Sequence, residues 1–154
     1  MAIASPQQID ANFRTINSNE AFLLESTWTF VTGTTGATGA HTLFTVTDNV
    51  LVSVFGVCDT NLTGAATLEI GVASNTAQLV AQIADATTLD DGDVYVDAAT
   101  EVGAGAIPAP QVINDGTDII LTIGSTAVTA GVVDFYCLWR PLNSSGSVTV
   151  TTPA

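Results

Sequence analysis

Short segments in which apolar residues alternate with polar ones recur along this chain, and they constrain its fold more than any other feature. The clearest segment is residues 131–140, where Val133, Phe135, Cys137 and Trp139 share one face of an extended strand. The opposite face mixes apolar and charged side chains, namely Val132, Asp134, Tyr136, Leu138 and Arg140. Such a mixture is typical of a strand that a neighbour covers over only part of its length.

Similar segments, separated by turns rich in Gly, Asn, Asp and Thr, occur throughout the chain after residue 25. The predicted strands are residues 28–31, 40–46, 50–58, 67–72, 94–96, 111–113, 118–123, 131–140 and 147–151. Residues 77–83 are ambiguous, because Ala and Gln favour a helix while the alternation of Ala77, Leu79, Ala81 and Ile83 favours a strand. We predict a strand there.

The pair Asp48 and Asn49 separates the predicted strands 40–46 and 50–58. Both residue types tolerate a positive φ, so we expect a two-residue hairpin at this point. About eight strands with such turns imply an all-β fold, an antiparallel β-sandwich of jelly-roll type, with a barrel as the alternative. The length of 154 residues suits one domain, which we place at residues 26–154.

The first 25 residues differ from the rest and predict an N-terminal arm, extended or partly helical. They are polar, and their apolar residues Ile9, Phe13 and Ile16 are spaced four and three positions apart, as in a short amphipathic helix. An extended arm that becomes ordered against a partner is equally consistent with this pattern.

The chain is poor in cations. It has two, Arg14 and Arg140, against 15 acidic residues, and its formal net charge is −13. Binding to a nucleic-acid backbone takes several Lys or Arg contacts, and an anionic membrane surface would repel the chain, so we expect neither partner. No apolar run approaches the ~18 residues that a membrane-spanning helix needs. The N-terminal residues lack the pattern of a signal peptide, so synthesis in the cytoplasm is expected.

Six carboxylates lie within residues 85–101 without a local cation: Asp85, Asp90, Asp91, Asp93, Asp97 and Glu101. The aspartates 90, 91 and 93 surround Gly92 and could offer hard oxygen ligands to Ca²⁺. Their spacing is not that of an EF-hand loop, and a solvated acidic loop explains the pattern without a metal. We therefore predict no metal and no cofactor, with calcium at Asp90, Asp91 and Asp93 as the alternative.

Other side chains that could carry chemistry form no catalytic pattern. His41 is the only histidine and has no acidic neighbour in the sequence, which favours a passive role. Cys58 and Cys137 lack a CxxC spacing and are expected to be buried free thiols in strands. Residues 32–40 are rich in Gly and Thr but lack the Gly-Lys-Ser/Thr ending of a phosphate-binding loop, so they predict a flexible connection. We expect no enzymatic activity.

Two stretches carry a resemblance to a known class of proteins. They are GATGAHTLFTV at residues 36–46 and TDIILTIGSTAVTAGVVDFYCLWRPL at residues 117–142. Their texture resembles that of small β-rich structural proteins of tailed-bacteriophage virions, and within that class it is similar to capsid decoration or cement proteins. The resemblance implies a protein on the outer capsid surface that ties neighbouring capsid subunits together.

This resemblance implies the major capsid protein of a phage head as the partner, and it transfers no site residues. A charge-poor chain without lysine to guard its strand edges would also gain by burying surface in a symmetric oligomer, so we expect a homo-oligomer, specifically a trimer. The alternative function is a carbohydrate- or receptor-binding module of a phage tail, spike or cell surface. Such modules usually display exposed aromatic side chains.

Overall fold

The computed structural model describes residues 21–153 of the chain. Within that range the chain forms eleven β-strands and one short 3₁₀ turn, Ala86–Thr88, which lies between β5 and β6. The strands are β1 (Phe22–Thr29), β2 (Gly39–Thr47), β3 (Val50–Thr63), β4 (Thr67–Val72), β5 (Asn75–Ile83), β6 (Asp93–Tyr95), β7 (Thr100–Val102), β8 (Gln111–Ile113), β9 (Ile119–Gly124), β10 (Ala130–Pro141) and β11 (Ser147–Val150).

The strands form two antiparallel sheets that pack face to face. Sheet A has the order β1-β10-β3-β6-β7, with β8 also paired to β3, and sheet B has the order β11-β2-β9-β4-β5. The pairs β4 with β5, β3 with β6, β2 with β9 and β1 with β10 are nested, as in one long hairpin rolled into a sandwich. This is the connectivity of a jelly roll, so the predicted all-β, jelly-roll-like sandwich is confirmed.

The predicted hairpin at Asp48 and Asn49 is wrong. Asp48 has the positive φ of 56° that such a turn requires. However, β2 belongs to sheet B and β3 to sheet A, so the turn carries the chain from one sheet to the other. Two strands that each have one apolar face can bury these faces either as neighbours in one sheet or as members of two sheets packed against each other. The alternation in their sequences is the same in both arrangements. A true hairpin joins β4 to β5 through Ala73 and Ser74.

The hydrophobic core lies between the inner faces of the two sheets. The alternation predicted for residues 131–140 is confirmed, since Phe135 and Cys137 are completely buried. Tyr95, from β6, reaches across the core, and its hydroxyl donates to the carbonyl oxygens of Leu68 at 2.7 Å and Ala81 at 3.1 Å in sheet B. The hydrogen-bonded phenol of Tyr95 therefore links β6, a strand of three residues in sheet A, to sheet B.

Strand positions agree with the prediction except at some ends and at β7 (Thr100–Val102), which was not predicted. The ambiguous residues 77–83 belong to β5, a strand as predicted, and β3 continues beyond Cys58 to Thr63. β1 begins at Phe22, inside the predicted arm, so the boundary at residue 25 runs through a strand of sheet A. The remainder of the predicted arm lies outside the described residues.

The Gly/Thr-rich stretch between β1 and β2 forms a tightly hydrogen-bonded turn. The indole of Trp28 donates to the carbonyl of Thr35 at 3.0 Å, and the Thr35 hydroxyl donates to the carbonyl of Thr29 at 2.6 Å. Gly36 packs so closely that a Cβ there would overlap the carbonyl oxygen of Val128. The stretch is thus part of the packed end of the sandwich, unlike the flexible connection expected from its composition.

Candidate functional site: the outer face of sheet A

The outward side chains of sheet A form a surface with an apolar centre and an acidic border. The inner residues of β10 are buried, so the intervening residues point away from the core. The pairing register aligns them in rows across the strands: Leu23–Leu138–Ser53, Glu25–Tyr136–Phe55 and Thr27–Asp134–Val57–Val94–Glu101. We call this surface, together with Leu51, Val112 and the adjoining Ile107, the outer face of sheet A.

An aromatic pair lies at the centre of this face. The rings of Phe55 and Tyr136, on the neighbouring strands β3 and β10, stack with centroids 5.3 Å apart and an interplanar angle of 19°. Both side chains are half-buried. Stacking of this kind stabilises the pair beyond the area it buries, and it covers one face of each ring.

Large aliphatic side chains surround the aromatic pair and are open to solvent. Leu23 is 58% exposed, Ile107 is 51% exposed, and Val112 is 62% exposed. Val112 lies opposite Leu51, which continues the apolar surface along β3. Single exposed apolar residues are ordinary, but a contiguous group of them marks an interaction surface in a protein of this size.

A loop covers part of the face. Residues 103–110 cross β3 and β6, and the hydroxyl of Ser53 donates to the carbonyl of Pro108 at 2.9 Å. A Cβ on Gly105 would lie only 3.0 Å from Val96 Cγ2, so the loop backbone rests directly on the sheet. Between this loop and β10 remains a groove of about 210 Å³, whose lining includes Ala21, Leu51, Ile107, Pro110, Leu138 and Trp139.

Carboxylates give the face a negative charge. Burial raises the pKa of Tyr136, and the neighbouring carboxylates of Glu25, Asp134 and Asp59 raise that pKa further. The hydroxyl of Thr27 donates to Asp134 at 2.6 Å. Within residues 21–153 the single cationic side chain is Arg140, four positions along β10 from Tyr136.

The three aspartates considered as calcium ligands lie together in the turn before β6, where their groups make hydrogen bonds within the turn and to β3. The carboxylate of Asp93 accepts from the backbone N–H of Asp90 at 3.1 Å, and the N–H of Asp91 donates to Asn61 Oδ1 at 2.7 Å. The N–H of Gly92 donates to a β3 carbonyl at 2.8 Å. In the part of the chain that the structure describes, no three His, Cys, Asp or Glu side chains are grouped to hold a metal ion. Calcium binding stays a hypothesis for experiment.

His41 lies at the opposite end of the sandwich from the groove, beside the turn that follows β1. Its Nε2 is 2.7 Å from the carbonyl oxygen of Ala37, and since a carbonyl only accepts, Nε2 carries the proton. The imidazole meets the Trp28 ring edge to face, with centroids 5.8 Å apart. His41, Trp28, Thr34 and Thr35 line an open pocket of about 360 Å³ that brings no acid or nucleophilic thiol to the imidazole.

Both cysteines are buried free thiols, as predicted. Burial raises the pKa of Cys58 to about 11, and burial raises the pKa of Cys137 to about 12. At neutral pH both sulfurs therefore stay protonated, which makes them poor nucleophiles and poor metal ligands.

The sequence indicates the mixed face of residues 131–140 but not the site to which that face belongs. Phe55 and Tyr136 are far apart in sequence and meet because β3 and β10 are neighbours in sheet A. The Gly-, Ala- and Pro-rich composition of residues 103–110 indicates a loop, yet nothing in it specifies which sheet the loop covers.

A scan against protein-family models, a search of curated proteins and a search of solved structures each found no match. Among the described residues, no helix is long and apolar enough to cross a membrane. Function is therefore inferred from the sandwich and its outer surfaces.

Proposed function

We propose that this chain is a non-enzymatic structural protein of a phage virion, a decoration or cement protein that binds the outside of the capsid and stabilises the head. The observation that carries the proposal is the apolar, acid-bordered outer face of sheet A on a jelly-roll sandwich. A surface of this kind suits a protein that works by attachment. Jelly rolls also form viral capsid and lectin domains, which is an analogy of fold and supports only the general class.

The side chains that could support catalysis favour a non-enzymatic role. His41 is occupied by the Ala37 carbonyl and packs on Trp28, with no acidic side chain lining its pocket. The thiols of Cys58 and Cys137 are buried and have raised pKa values. A nucleophile, a base and an orienting acid within hydrogen-bond reach are what acyl-transfer sites require, and these groups do not form such a set.

The edges of the sandwich favour self-association, and we propose a trimer. β1 is an edge strand of sheet A within the described residues; it pairs with β10 over eight consecutive positions without a bulge and contains neither Lys nor Pro. At the edge of sheet B, by contrast, β5 pairs with β4 through two irregularities. Bulges and lysines discourage edge pairing, so β1 is the edge better suited to a neighbour.

Light scattering tests the oligomeric state directly. We expect a species of three times the 15.7 kDa chain mass at micromolar concentration. A monomer under those conditions would contradict the trimer, although it would leave attachment to a capsid lattice open to the next test.

The location on the virion is tested by immunogold electron microscopy of the phage that encodes this chain, with an antibody raised against the purified protein. We expect gold particles distributed over the whole head. Heads prepared without the protein should also break at a lower temperature than heads to which the purified chain is restored, because a ligand that binds only the intact lattice stabilises it. Labelling confined to tails or spikes would overturn the proposal.

A carbohydrate- or receptor-binding module is the second candidate, and the half-buried aromatic pair Phe55–Tyr136 beside Glu25 and Asp134 favours it. A sugar ring stacks on the flat face of an aromatic ring, however, and these two rings already cover one face of each other. A glycan array probed with the wild-type protein and with Tyr136→Ala distinguishes the candidates. Specific glycan binding that is lost in the variant would favour this second function.

A further inference from the structure

The outer face of sheet A combines large apolar side chains that are open to solvent with an acidic border. Leu23, Ile107 and Val112 are each more than half exposed, and the stacked rings of Phe55 and Tyr136 lie between them and the acidic border. Covering this surface would remove apolar area from water, which is the main driving force for association.

Charge decides what can cover it. Glu25, Asp134 and Asp59 all act on Tyr136, and a partner that buries Tyr136 therefore draws these carboxylates out of water as well. Taking carboxylates out of water is unfavourable unless cations arrive with the covering surface. The occupant must thus carry Arg or Lys next to its apolar contacts.

A second copy of this chain does not meet that requirement. In a twofold dimer the same patch faces itself, so each copy would bring the carboxylates of Glu25, Asp134 and Asp59 against only one described cation of the other copy, Arg140. With 15 acidic residues and two cations in the whole sequence, a copy has almost no positive charge to offer from any other surface. Like charges placed together at an interface oppose binding, so this face is unsuited to self-association.

The groove beside the loop 103–110 gives the face a point of attachment. Its volume of about 210 Å³ and its lining of Leu138, Ile107 and Pro110 suit one inserted apolar side chain.

We infer that the outer face of sheet A docks a different protein, through a segment that inserts an apolar side chain beside Leu138 and places Arg or Lys against Glu25 and Asp134. The inference rests on the proposed function in one respect: a capsid subunit is the partner that the function supplies. The chemistry of the partner surface follows from the face itself.

A library of random dodecapeptides displayed on filamentous phage, selected against the immobilised full chain, tests this chemistry without a capsid. The selected peptides should combine Arg or Lys with an aromatic or large aliphatic residue. For a synthetic peptide from the selection, we expect Glu25→Gln combined with Asp134→Asn to weaken binding about tenfold, and added salt to weaken binding to the wild type more than to this variant.

Tyr136→Ser should weaken the same peptide's binding by a similar factor, while the matched change Glu69→Gln, on the outward surface of sheet B, should leave the dissociation constant unchanged within twofold. Near-ultraviolet circular dichroism of each variant establishes that it is folded. If Tyr136→Ser does not fold, the test rests on Glu25→Gln with Asp134→Asn, because these changes keep the shape of each side chain.

Either of two results of the peptide experiment would overturn the inference: selected peptides without cations, or peptide binding that none of the sheet A variants alters. Dissociation of the homo-oligomer by Glu25→Gln with Asp134→Asn would overturn it as well, because the face would then serve a second copy. Selection of cationic peptides together with gold labelling away from the head would keep this inference and refute the capsid proposal. Selection of peptides without cations together with gold labelling over the head would keep the capsid proposal and place the attachment on another surface of the chain.

Discussion

The two outward surfaces of this sandwich differ in whether their groups satisfy one another. On sheet B the hydroxyls of Thr45 and Thr151 are hydrogen-bonded at 2.9 Å, and Glu69 accepts from Gln82 at 2.9 Å and from the hydroxyl of Thr76. On sheet A the centre is a stacked aromatic pair with exposed aliphatic side chains around it. Apart from the hydroxyl of Thr122, which is buried without a hydrogen-bond partner, these polar groups of sheet B bond one another, whereas sheet A presents an apolar centre that gains from a partner.

This difference shows that the same strand alternation can serve two purposes. In both sheets one set of alternate residues builds the shared core. The outward residues are not fixed by core packing. In sheet B many of them are threonine, which favours a strand and whose hydroxyl forms hydrogen bonds with water. In sheet A the outward residues are partly apolar, so they should contribute less to folding than to association.

The largest expected effect contrasts the inner and outer tyrosines of sheet A. Tyr95→Phe removes the hydroxyl that bonds the carbonyls of Leu68 and Ala81 and should lower the free energy of unfolding by about 1–3 kcal/mol. Tyr136→Phe changes only the outer face and should cost less than about 0.5 kcal/mol. Urea unfolding of the two variants measures the difference, and equal losses would show that the outer face is part of the folding core.

The aromatic pair gives the next largest effect. A double-mutant cycle with Phe55→Ala and Tyr136→Ala should yield a coupling free energy of about 0.5–1.5 kcal/mol from the stacked rings. The matched cycle on sheet B, Thr45→Ala with Thr151→Ala, should give about 0.5 kcal/mol or less, since its hydroxyl pair is exposed. A coupling on sheet A no larger than that on sheet B would mean that the rings do not hold each other in solution.

A smaller effect is expected at the corner where the chain passes from sheet B to sheet A. The hydroxyl of Ser145 and the amide of Asn143 donate hydrogen bonds to Asp48 and lower its pKa. Since the folded pKa lies below the ordinary value, this stabilisation is present above pH 4 and is lost as the pH falls through the lowered pKa.

Asp48→Asn should therefore reduce the stability at pH 7 and flatten the fall in melting temperature between pH 4 and pH 2. Asparagine also tolerates the φ of 56° at this position, so backbone strain does not confuse the comparison. Thermal unfolding followed by circular dichroism across this range provides the measurement. An unchanged pH profile would show that Asp48 is not a determinant of acid stability.

The smallest effect, none at all, is expected from calcium at the acidic turn before β6. Calcium chloride and sodium chloride at equal ionic strength should change the melting temperature alike, and EDTA should have no effect, because Asp93 already bonds the turn backbone. A calcium-specific rise of several degrees, abolished by Asp91→Asn with Asp93→Asn, would establish a metal site. It would also mean that the charge on this end of sheet A is partly neutralised in solution.

Strand positions were predictable because strand formation depends on local alternation and on local turns. Residues 131–140 and 118–123 alternate clearly, and the structure places β10 and β9 there. Pairing was not predictable in the same way. Asp48 and Asn49 carry a hairpin signature, yet they connect strands in opposite sheets, because turn chemistry specifies a change of direction and not the neighbour that follows.

The candidate site was predictable only in part. The mixed outward face of β10 pointed to a strand covered over part of its length, but the loop 103–110 lies over β3 and β6 and leaves an open groove beside β10. The stacking of Phe55 on Tyr136 depends on two strands distant in sequence, and the groove beside Leu138 depends on where a Pro- and Gly-containing loop settles. One sequence contains no periodic signal for contacts of this range.

By itself the sequence determined the all-β class, the buried thiols of Cys58 and Cys137, and a surface almost without cations, and it favoured a sandwich over a barrel. Local sequence patterns and overall composition determine these properties, so they do not depend on which strands become neighbours. Only the tertiary structure decided that β2 and β3 face each other across the core and that the carboxylates of Glu25 and Asp134 gather with an aromatic pair on one face. The physical reason is that burying two apolar surfaces is a non-local requirement, satisfied by the nested pairing of strands from opposite ends of the chain.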